Sequence, residues 1–279
     1  MRGSFGARMR GTPLGARFRS AVAAAVIAAA LSAGVLAIAR AGDLHVDADN
    51  KIRIAFVGDS IADGYWEGVN VAVGRDACLK QELDVGRFAR NSTGLTRPDR
   101  FDWAAELGRI ADSYKPHLFV MSLGLNDRQS VVERGLVTMD DSPAYADKYK
   151  QRVTAVLKAA VEANSGLLWI GLPAMRASAS DQDAREKNRL FAEAIEAFAD
   201  PAIRFIEPWK LVSAGDDSFA SYALDPGGRL VQIRTSDGEH FTVAGEVMTA
   251  AYLLPRILAT VAPGGLPSCA KIEMQSELK

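Results

Sequence analysis

Short, continuously apolar runs alternate with longer amphipathic runs through the body of the chain, and this alternation constrains the fold more than any other feature. The runs His117–Leu123 (HLFVMSL) and Leu167–Leu172 (LLWIGL) are typical of strands that helices cover on both faces. Two further runs of strand length are Ile52–Val57 and Ile203–Ile206, and Arg87–Ala89 is a weaker one. The sequence therefore contains five candidate strands.

Helix patterns lie between these strand candidates. One begins with Ser142 as an N-cap and Pro143 in the first turn, followed by apolar residues at steps of four. A second pattern covers Ala184–Phe198, and a third begins at Thr242 and contains Pro255, where we expect a bend. Regular alternation of strands and helices predicts parallel crossovers and a three-layer α/β sandwich.

One segment interrupts this alternation. Tyr222–Thr235 contains two strand-like arms around the sequence Asp225-Pro-Gly-Gly228. Aspartate, proline and glycine in this arrangement are typical of a tight turn. The sequence therefore predicts an inserted hairpin shortly before the last helix.

The first 41 residues differ in charge from the rest of the chain. They contain six arginines and no acidic residue, whereas the remaining 238 residues carry 27 basic and 34 acidic side chains, a formal charge of −7. A mildly acidic body argues against a nucleic-acid partner, since such partners usually require a basic surface. Nothing in the sequence indicates an oligomeric state.

The N-terminal region also contains an uncharged run from Ser20 to Ala39, and Ala39-Arg40-Ala41 has the A-x-A pattern of a cleavage site. A secretory signal peptide has this organisation. The run is also about long enough to span a bilayer at roughly 1.5 Å per residue. Residues 1–41 are therefore either a cleaved signal peptide or an uncleaved anchor, which would make the membrane a partner. In both cases residues 42–50 form a polar linker and the body is exported, either to the periplasm or to the outer face of the inner membrane.

Three polar segments lie where strands are expected to end. Gly58-Asp59-Ser60 follows the first strand, Gly124-Leu-Asn126-Asp127 follows the third, and Asp237-Gly-Glu-His240 precedes the last helix. In open parallel α/β sheets, ligands bind beyond the carboxyl ends of the strands. These segments are therefore the candidates for a functional site.

Ser60 is a candidate nucleophile, which requires a base to take its proton. Of the three histidines, His45 lies in the linker and His117 begins a strand, so His240 is the only one at a strand–helix boundary. Asp237, three residues earlier, is close enough in sequence to accept a hydrogen bond from the other ring nitrogen. The sequence thus contains the components of a Ser-His-Asp triad.

Acyl transfer also requires donors directed at the developing oxyanion. The candidates are the Ser60 amide at a helix start, the Asn126 side chain, and the amide of Gly94, which follows the second strand. Taken singly, these residues are typical of helix caps and turns, and His240 of a surface residue. Their occurrence together, in order and at predicted strand ends, favours a catalytic site.

The segments Gly58-Asp59-Ser60, Gly94, Gly124-x-Asn126-Asp127 and Asp237-x-x-His240 resemble the four motif blocks of the SGNH (GDSL) hydrolase superfamily. The resemblance extends over roughly residues 51–261. One departure is an isoleucine, Ile61, in place of the leucine that follows the nucleophile. The inserted hairpin beside the histidine segment is a second departure.

This resemblance implies a flavodoxin-like α/β/α sandwich with a five-stranded parallel sheet over residues 51–262, followed by a tail at 263–279. It implies esterase, lipase, thioesterase or acyltransferase chemistry without a metal or other cofactor. Ser60 would be the nucleophile, His240 the base and Asp237 the residue that orients it. The oxyanion hole would consist of the Ser60 and Gly94 amides and the Asn126 side chain.

Three functional hypotheses follow. The leading one is a serine esterase of the cell envelope that removes small acyl groups, such as acetyl, from a polysaccharide or peptidoglycan. The predicted export indicates the location, and resemblance to envelope-acting members of the superfamily suggests the substrate. The second hypothesis is an O-acyltransferase that uses the same residues, with a sugar hydroxyl replacing water. The third is an inactive, membrane-tethered binding domain, which the complete triad disfavours.

Two other groups of residues carry weaker signals. His45, Asp47 and Asp49 are of metal-ligating type, but three such residues in a linker are more often solvated, so we expect no metal site. Several arginines are of the type that contacts an anionic substrate, although most surface arginines have no such role. These arginines are Arg97, Arg176, Arg229 and Arg234.

The chain has two cysteines, Cys78 near the end of the helix after Ser60 and Cys269 beyond the last helix. First and last helices tend to pack side by side in flavodoxin-like folds, and an exported compartment permits a disulfide. The alternative is a buried free Cys78 and an exposed free Cys269. Both states stay open at this point, with free thiols slightly favoured.

Overall fold

The computed structural model describes residues 51–208, 213–214, 217–266 and 269. The predicted signal peptide or anchor (1–41) and linker (42–50) lie outside the described residues, as do His45, Asp47 and Asp49. Within the described ranges, no helix has the length and apolar character needed to cross a bilayer.

Strands and helices alternate as predicted, except that two short strands, which the sequence did not predict, follow the third strand. The strands are β1 (Ile52–Gly58), β2 (Leu83–Arg87), β3 (Leu118–Ser122), β4 (Val131–Glu133), β5 (Leu136–Thr138), β6 (Gly166–Ile170), β7 (Ile203–Ile206), β8 (Tyr222–Leu224) and β9 (Leu230–Gln232). The helices are α1 (Ser60–Arg75), α2 (Ala77–Glu82), α3 (Trp103–Tyr114), α4 (Tyr145–Glu162), α5 (Ser178–Phe198) and α6 (Val243–Val261).

Five strands form one parallel sheet in the order β2-β1-β3-β6-β7. The predicted five-stranded parallel sheet is therefore confirmed. Because all five strands run the same way, their carboxyl ends meet at one edge, where the loops that contain the candidate site residues begin. We call this the catalytic edge. The other strands form two hairpins, β4–β5 and β8–β9.

Apolar cores lie on both faces of the sheet. Along β1, Ile54 and Phe56 pack in one core with residues of α1 and α6, whereas Ala55 and Val57 pack in the other with residues of α3, α4 and α5. Successive side chains of a strand point to opposite faces, so a strand buried on both sides must be apolar throughout. The three-layer sandwich that the sequence predicted is confirmed.

The predicted β8–β9 hairpin is also confirmed. The Asp225 side chain accepts hydrogen bonds from the amides of Gly227 and Arg229, at 2.9 Å each, and thereby closes the turn. Thr242 caps α6 as expected, since its hydroxyl accepts from the Gly245 amide at 3.2 Å.

Several predicted boundaries are wrong. The second strand is Leu83–Arg87 rather than Arg87–Ala89; it is an edge strand in which only Leu83 is fully buried, so its apolar signal is weak. Helix α4 begins at Tyr145, and the hydroxyl of the expected cap Ser142 instead donates to the Met139 carbonyl at 2.7 Å. Helix α5 begins six residues before Ala184, in a polar segment without apolar periodicity.

The two cysteines are bonded to each other. Cys78 lies in α2, and its Cα atom is 5.1 Å from that of Cys269. The slightly favoured expectation of free thiols is therefore wrong. The tail returns to the first part of the domain because α1 and α6 share one core, which places the segments after each helix close together.

Candidate active site

Ser60 lies at the catalytic edge because the chain turns sharply between β1 and α1. Gly58 has φ +133°, and a Cβ atom at this position would lie 1.9 Å from the Ser122 carbonyl oxygen in neighbouring β3. Only glycine tolerates both conditions. The turn makes Ser60 the first residue of α1, where its amide has no partner within the helix.

The buried Asp59 carboxylate ties the nucleophile turn to the loop after β3. It accepts hydrogen bonds from the Ile61 amide at 3.0 Å and from the Leu125 amide at 3.2 Å. Burial and, to a smaller extent, the nearby charge of Asp127 raise the pKa of Asp59 to about 7, although these amides oppose the shift. In the sequence Asp59 was recognisable only as part of a motif, whereas in the structure its carboxylate joins two of the motif segments.

The three predicted triad residues lie in one hydrogen-bonded series. Ser60 Oγ is 2.7 Å from His240 Nε2, and His240 Nδ1 is 2.8 Å from Asp237 Oδ2. A hydroxyl, an imidazole and a carboxylate in this order are the arrangement that nucleophilic catalysis by serine requires.

Asp237 is held in its ionised form. Burial alone would raise the pKa of its carboxyl group, but hydrogen bonds outweigh this effect and lower the pKa well below the ordinary value. The donors are the Thr235 hydroxyl at 2.6 Å, the Glu239 amide at 2.8 Å and the amide and ring of His240. A permanently charged Asp237 keeps the Nδ1 proton on His240, so Nε2 faces Ser60 as an acceptor.

Asn126 and the segment around Gly94 are also in contact. The Asn126 side-chain amide donates one hydrogen to the Thr93 carbonyl at 2.9 Å. An amide group has two hydrogens, so this bond leaves the second one for another acceptor. The predicted residues Asn126 and Gly94 are thus brought into one cluster.

The Asp127 carboxylate organises this cluster. It accepts from the Leu95 amide at 2.9 Å, the Thr96 amide at 3.0 Å, the Thr96 hydroxyl at 2.8 Å and the Tyr149 hydroxyl at 2.8 Å. A Cβ atom on Gly94 would lie 2.1 Å from Asp127 Oδ1, so only glycine permits this approach. The position of Asp127 next to Asn126 was the only signal in the sequence that could have pointed to these bonds.

The structure does not support a substrate role for most of the arginines suggested by the sequence. Arg97 and Arg229 each form an ion pair with an aspartate in their own segment. Arg234 is 1% exposed and therefore out of reach of substrate. Arg176 is exposed, and its guanidinium donates to the Ser236 carbonyl.

Comparison with protein families gives one match. Residues 53–256 match the model of a family described as "Protein of unknown function (DUF459)". This match covers well over half of the chain. A search of the curated proteins finds no match.

Solved structures share the fold. An acetyl xylan esterase is 19% identical, with a TM-score of 0.53 over 74% of this chain and 100% of its own. A GDSL-like lipase from Bacteroides thetaiotaomicron is 17% identical, with a TM-score of 0.50 over 79% of this chain and 94% of its own. A psychrotrophic esterase from Pseudoalteromonas sp. is 14% identical, with a TM-score of 0.50 over 74% of this chain and 97% of its own. The predicted resemblance to SGNH (GDSL) hydrolases is therefore confirmed at the level of the fold.

Proposed function

Because the chain belongs to the DUF459 family and has the fold of the SGNH hydrolases, we propose that it is a serine esterase of the cell envelope that removes small acyl groups, such as acetyl, from a polysaccharide or peptidoglycan. The observation that carries this proposal is the hydrogen-bonded series Ser60–His240–Asp237 at the catalytic edge. The fold by itself would not suffice, since one fold supports many functions.

In the proposed acylation step, Ser60 Oγ attacks the ester carbonyl carbon while its proton passes to His240 Nε2. The carbonyl oxygen becomes an oxyanion, which the Ser60 and Gly94 amides and the free amide hydrogen of Asn126 stabilise. The ionised Asp237 stabilises the imidazolium. When the intermediate collapses, the proton on His240 passes to the alcohol leaving group, and an acyl-Ser60 ester is left.

Deacylation repeats these steps with water as the nucleophile. His240, now neutral, takes a proton from water while the hydroxide attacks the acyl-Ser60 carbonyl. Collapse of the second intermediate returns the proton to Ser60 Oγ and releases a carboxylic acid. The two steps together consume the ester and one water molecule and release an alcohol and a carboxylic acid.

Different observations support the proposed location and the proposed substrate. The uncharged run and A-x-A pattern in residues 1–41 support export. A neighbour in fold is named an acetyl xylan esterase, which supports an acetylated polysaccharide as the first substrate to test. The acyl-enzyme would also permit transfer to a sugar hydroxyl, so the experiment must separate hydrolysis from transfer.

The test is an assay of the purified protein with p-nitrophenyl acetate, its longer-chain homologues and an acetylated polysaccharide, each with and without acceptor sugars. We expect release of p-nitrophenol and free acetate, fastest for short acyl chains. Acetylated acceptor in place of free acetate would show a transferase instead. An absence of turnover with every ester, together with no labelling of Ser60 by a fluorophosphonate, would contradict the proposal.

A further inference from the structure

Arg234 is a buried arginine at the base of the segment that contains Asp237 and His240. Its side chain is 1% exposed, and it forms an isolated antiparallel bridge with Phe241. We call residues 235–240, which this bridge encloses, the histidine loop. An arginine is almost never fully buried unless its donors are satisfied.

The guanidinium donates to the main chain of the histidine loop. Nη2 is 2.7 Å from the Glu239 carbonyl oxygen and 3.4 Å from that of Gly238, and Nε is 3.3 Å from that of His240. Nη1 donates in the opposite direction, to the Ala174 carbonyl after β6, at 2.8 Å. Arg234 therefore joins three consecutive carbonyl groups of the histidine loop to a loop of the central sheet.

Two aromatic rings hold the guanidinium in place. Its central carbon is 4.7 Å from the ring centroid of Phe241 and 5.0 Å from that of Phe219. Cation–π contacts of this kind favour a planar cation, and the fork of donors fits several acceptors at once. A lysine would supply a single point charge. It has neither the planar shape that fits between the two rings nor enough donors for these carbonyl groups.

The position of this cation has an energetic cost. Burial lowers the pKa of Arg234 to about 10, so the side chain still carries its charge at neutral pH. In the described part of the chain its side-chain hydrogen bonds go to main-chain carbonyls and the Met175 sulfur. A buried charge is often no more stabilising than apolar residues of similar volume, so stability alone is a weak explanation for this arginine.

We propose that Arg234 is a positioning residue for catalysis, which fixes the main chain of the histidine loop so that His240 Nε2 stays within hydrogen-bond distance of Ser60. The inference rests on the proposed function, because it assigns Arg234 to the same triad. A displacement of about 1 Å in such a group lowers a rate by roughly 10²-fold. Arg234 does not reach the substrate, so its loss affects kcat and leaves KM nearly unchanged.

The first experiment compares Arg234→Lys with Arg229→Lys in the full chain. Arg229 is the matched control, because it lies five residues earlier, in the β8–β9 hairpin, and is exposed and bonded to Asp225. We expect kcat to fall by about 10²-fold in Arg234→Lys and to stay unchanged in the control, with KM near the wild-type value in both. Wild-type kcat in a folded Arg234→Lys protein would overturn the inference.

The second experiment uses chemical rescue of Arg234→Ala. The cavity between the two rings has the shape of a guanidinium, so added guanidinium or ethylguanidinium should restore part of kcat, whereas equal concentrations of ammonium should not. A fall in kcat caused only by a less stable fold would not be reversed by guanidinium compounds more than by ammonium. If Arg234→Ala does not fold, Phe219→Leu loosens the guanidinium without removing it. Loss of stability in Phe219→Leu without a fall in kcat would then count against the inference.

A third readout does not depend on turnover. The Nδ1 proton between His240 and Asp237 should give a low-field proton resonance, assigned by its absence in His240→Gln. We expect this resonance to be sharp in the wild type and lost or broadened in Arg234→Lys. If the wild type turns over no ester but this difference is present, the proposed function fails while the positioning role stands. An unchanged resonance in folded Arg234→Lys would overturn the positioning role, whatever the activity.

Discussion

Ser60 Oγ lies 2.7 Å from His240 Nε2, although 180 positions separate the two residues in the chain. Each residue lies at the start of a helix: Ser60 is the first residue of α1, and His240 lies shortly before α6. The two helices pack in the same core on one face of the sheet. The distance between nucleophile and base is therefore set by how the first and last helices of the domain pack.

Replacement of Ser60 by alanine should remove ester turnover and leave the fold intact. Loss of a triad residue lowers kcat by several powers of ten, whereas Ser60 is a small, half-buried residue at the start of α1, and its hydroxyl contributes little to stability. Turnover of p-nitrophenyl acetate and the thermal unfolding midpoint measure the two effects. Ser113→Ala, an exposed serine on α3, is the control and should retain full activity. If Ser60→Ala retained more than a tenth of the wild-type activity, Ser60 would not be the nucleophile.

Replacement of Asp237 by asparagine should lower kcat by about 10⁴-fold with little change in KM, because the amide favours the wrong tautomer of His240. Hydrogen bonds lower the pKa of Asp237 well below its ordinary value, so this carboxylate stays charged throughout the assay range. Any change of the rate with pH in this range must therefore come from a group other than Asp237. A rate in Asp237→Asn within a factor of ten of the wild-type rate would contradict the orienting role of this carboxylate. Asp112→Asn, an exposed aspartate on α3, serves as the control.

Replacement of Asn126 by alanine should lower kcat by about 10²–10³-fold with KM nearly unchanged, because the bond to the oxyanion strengthens in the transition state. Asp127→Asn should also lower kcat. An asparagine replaces one carboxylate oxygen by an NH₂ group, which cannot accept a hydrogen bond from the Leu95 or Thr96 amide. Tyr149→Phe removes only one of the four bonds to Asp127 and should have a much smaller effect. A rise in KM alone for Asn126→Ala would indicate a substrate contact instead.

Replacement of Glu246 by glutamine should stabilise the protein at pH 8 but not at pH 4. Partial burial and, to a smaller extent, the charges of Glu67 and Asp63 together raise the pKa of Glu246 to about 7. Below the pKa of the unfolded chain, about 4.3, both states are protonated. Between that value and about 7 the folded state binds more protons, so stability falls as pH rises.

Above about pH 7 the cost of the Glu246 charge is fully present, and the neutral glutamine avoids it. Thermal unfolding of wild type, Glu246→Gln and the exposed control Glu196→Gln across pH 4 to 8 measures this difference. An equal shift of the midpoint at both ends of the range would contradict the electrostatic explanation.

Removal of the Cys78–Cys269 bond should lower the free energy of unfolding by about 2–5 kcal/mol, because the bond restricts the unfolded chain. Unfolding in denaturant, with and without reductant, measures the loss. The double variant Cys78→Ala/Cys269→Ala should not respond to reductant. Two free thiols in the denatured, unreduced protein would show that the bond does not form.

The class of fold and the candidate residues could both be read from the amino-acid sequence. A strand such as β3 is apolar on both faces, and that condition is visible in the residues themselves. The motif segments could be found because each residue type is required locally, as glycine is at the turn before Ser60. The class of fold, the parallel sheet and the β8–β9 hairpin could therefore be predicted from the sequence.

The contacts between groups far apart in the chain became known only from the three-dimensional packing. Nothing near Asp127 in the sequence shows that its carboxylate binds the segment after Gly94, and nothing near Arg234 shows that it is buried between two rings. The Cys78–Cys269 bond was undecided for the same reason. Apolar periodicity reports whether a residue is buried, but not its partner. Partners depend on how segments far apart in the chain pack, and hydrogen bonds form only once that packing has set their distances and angles.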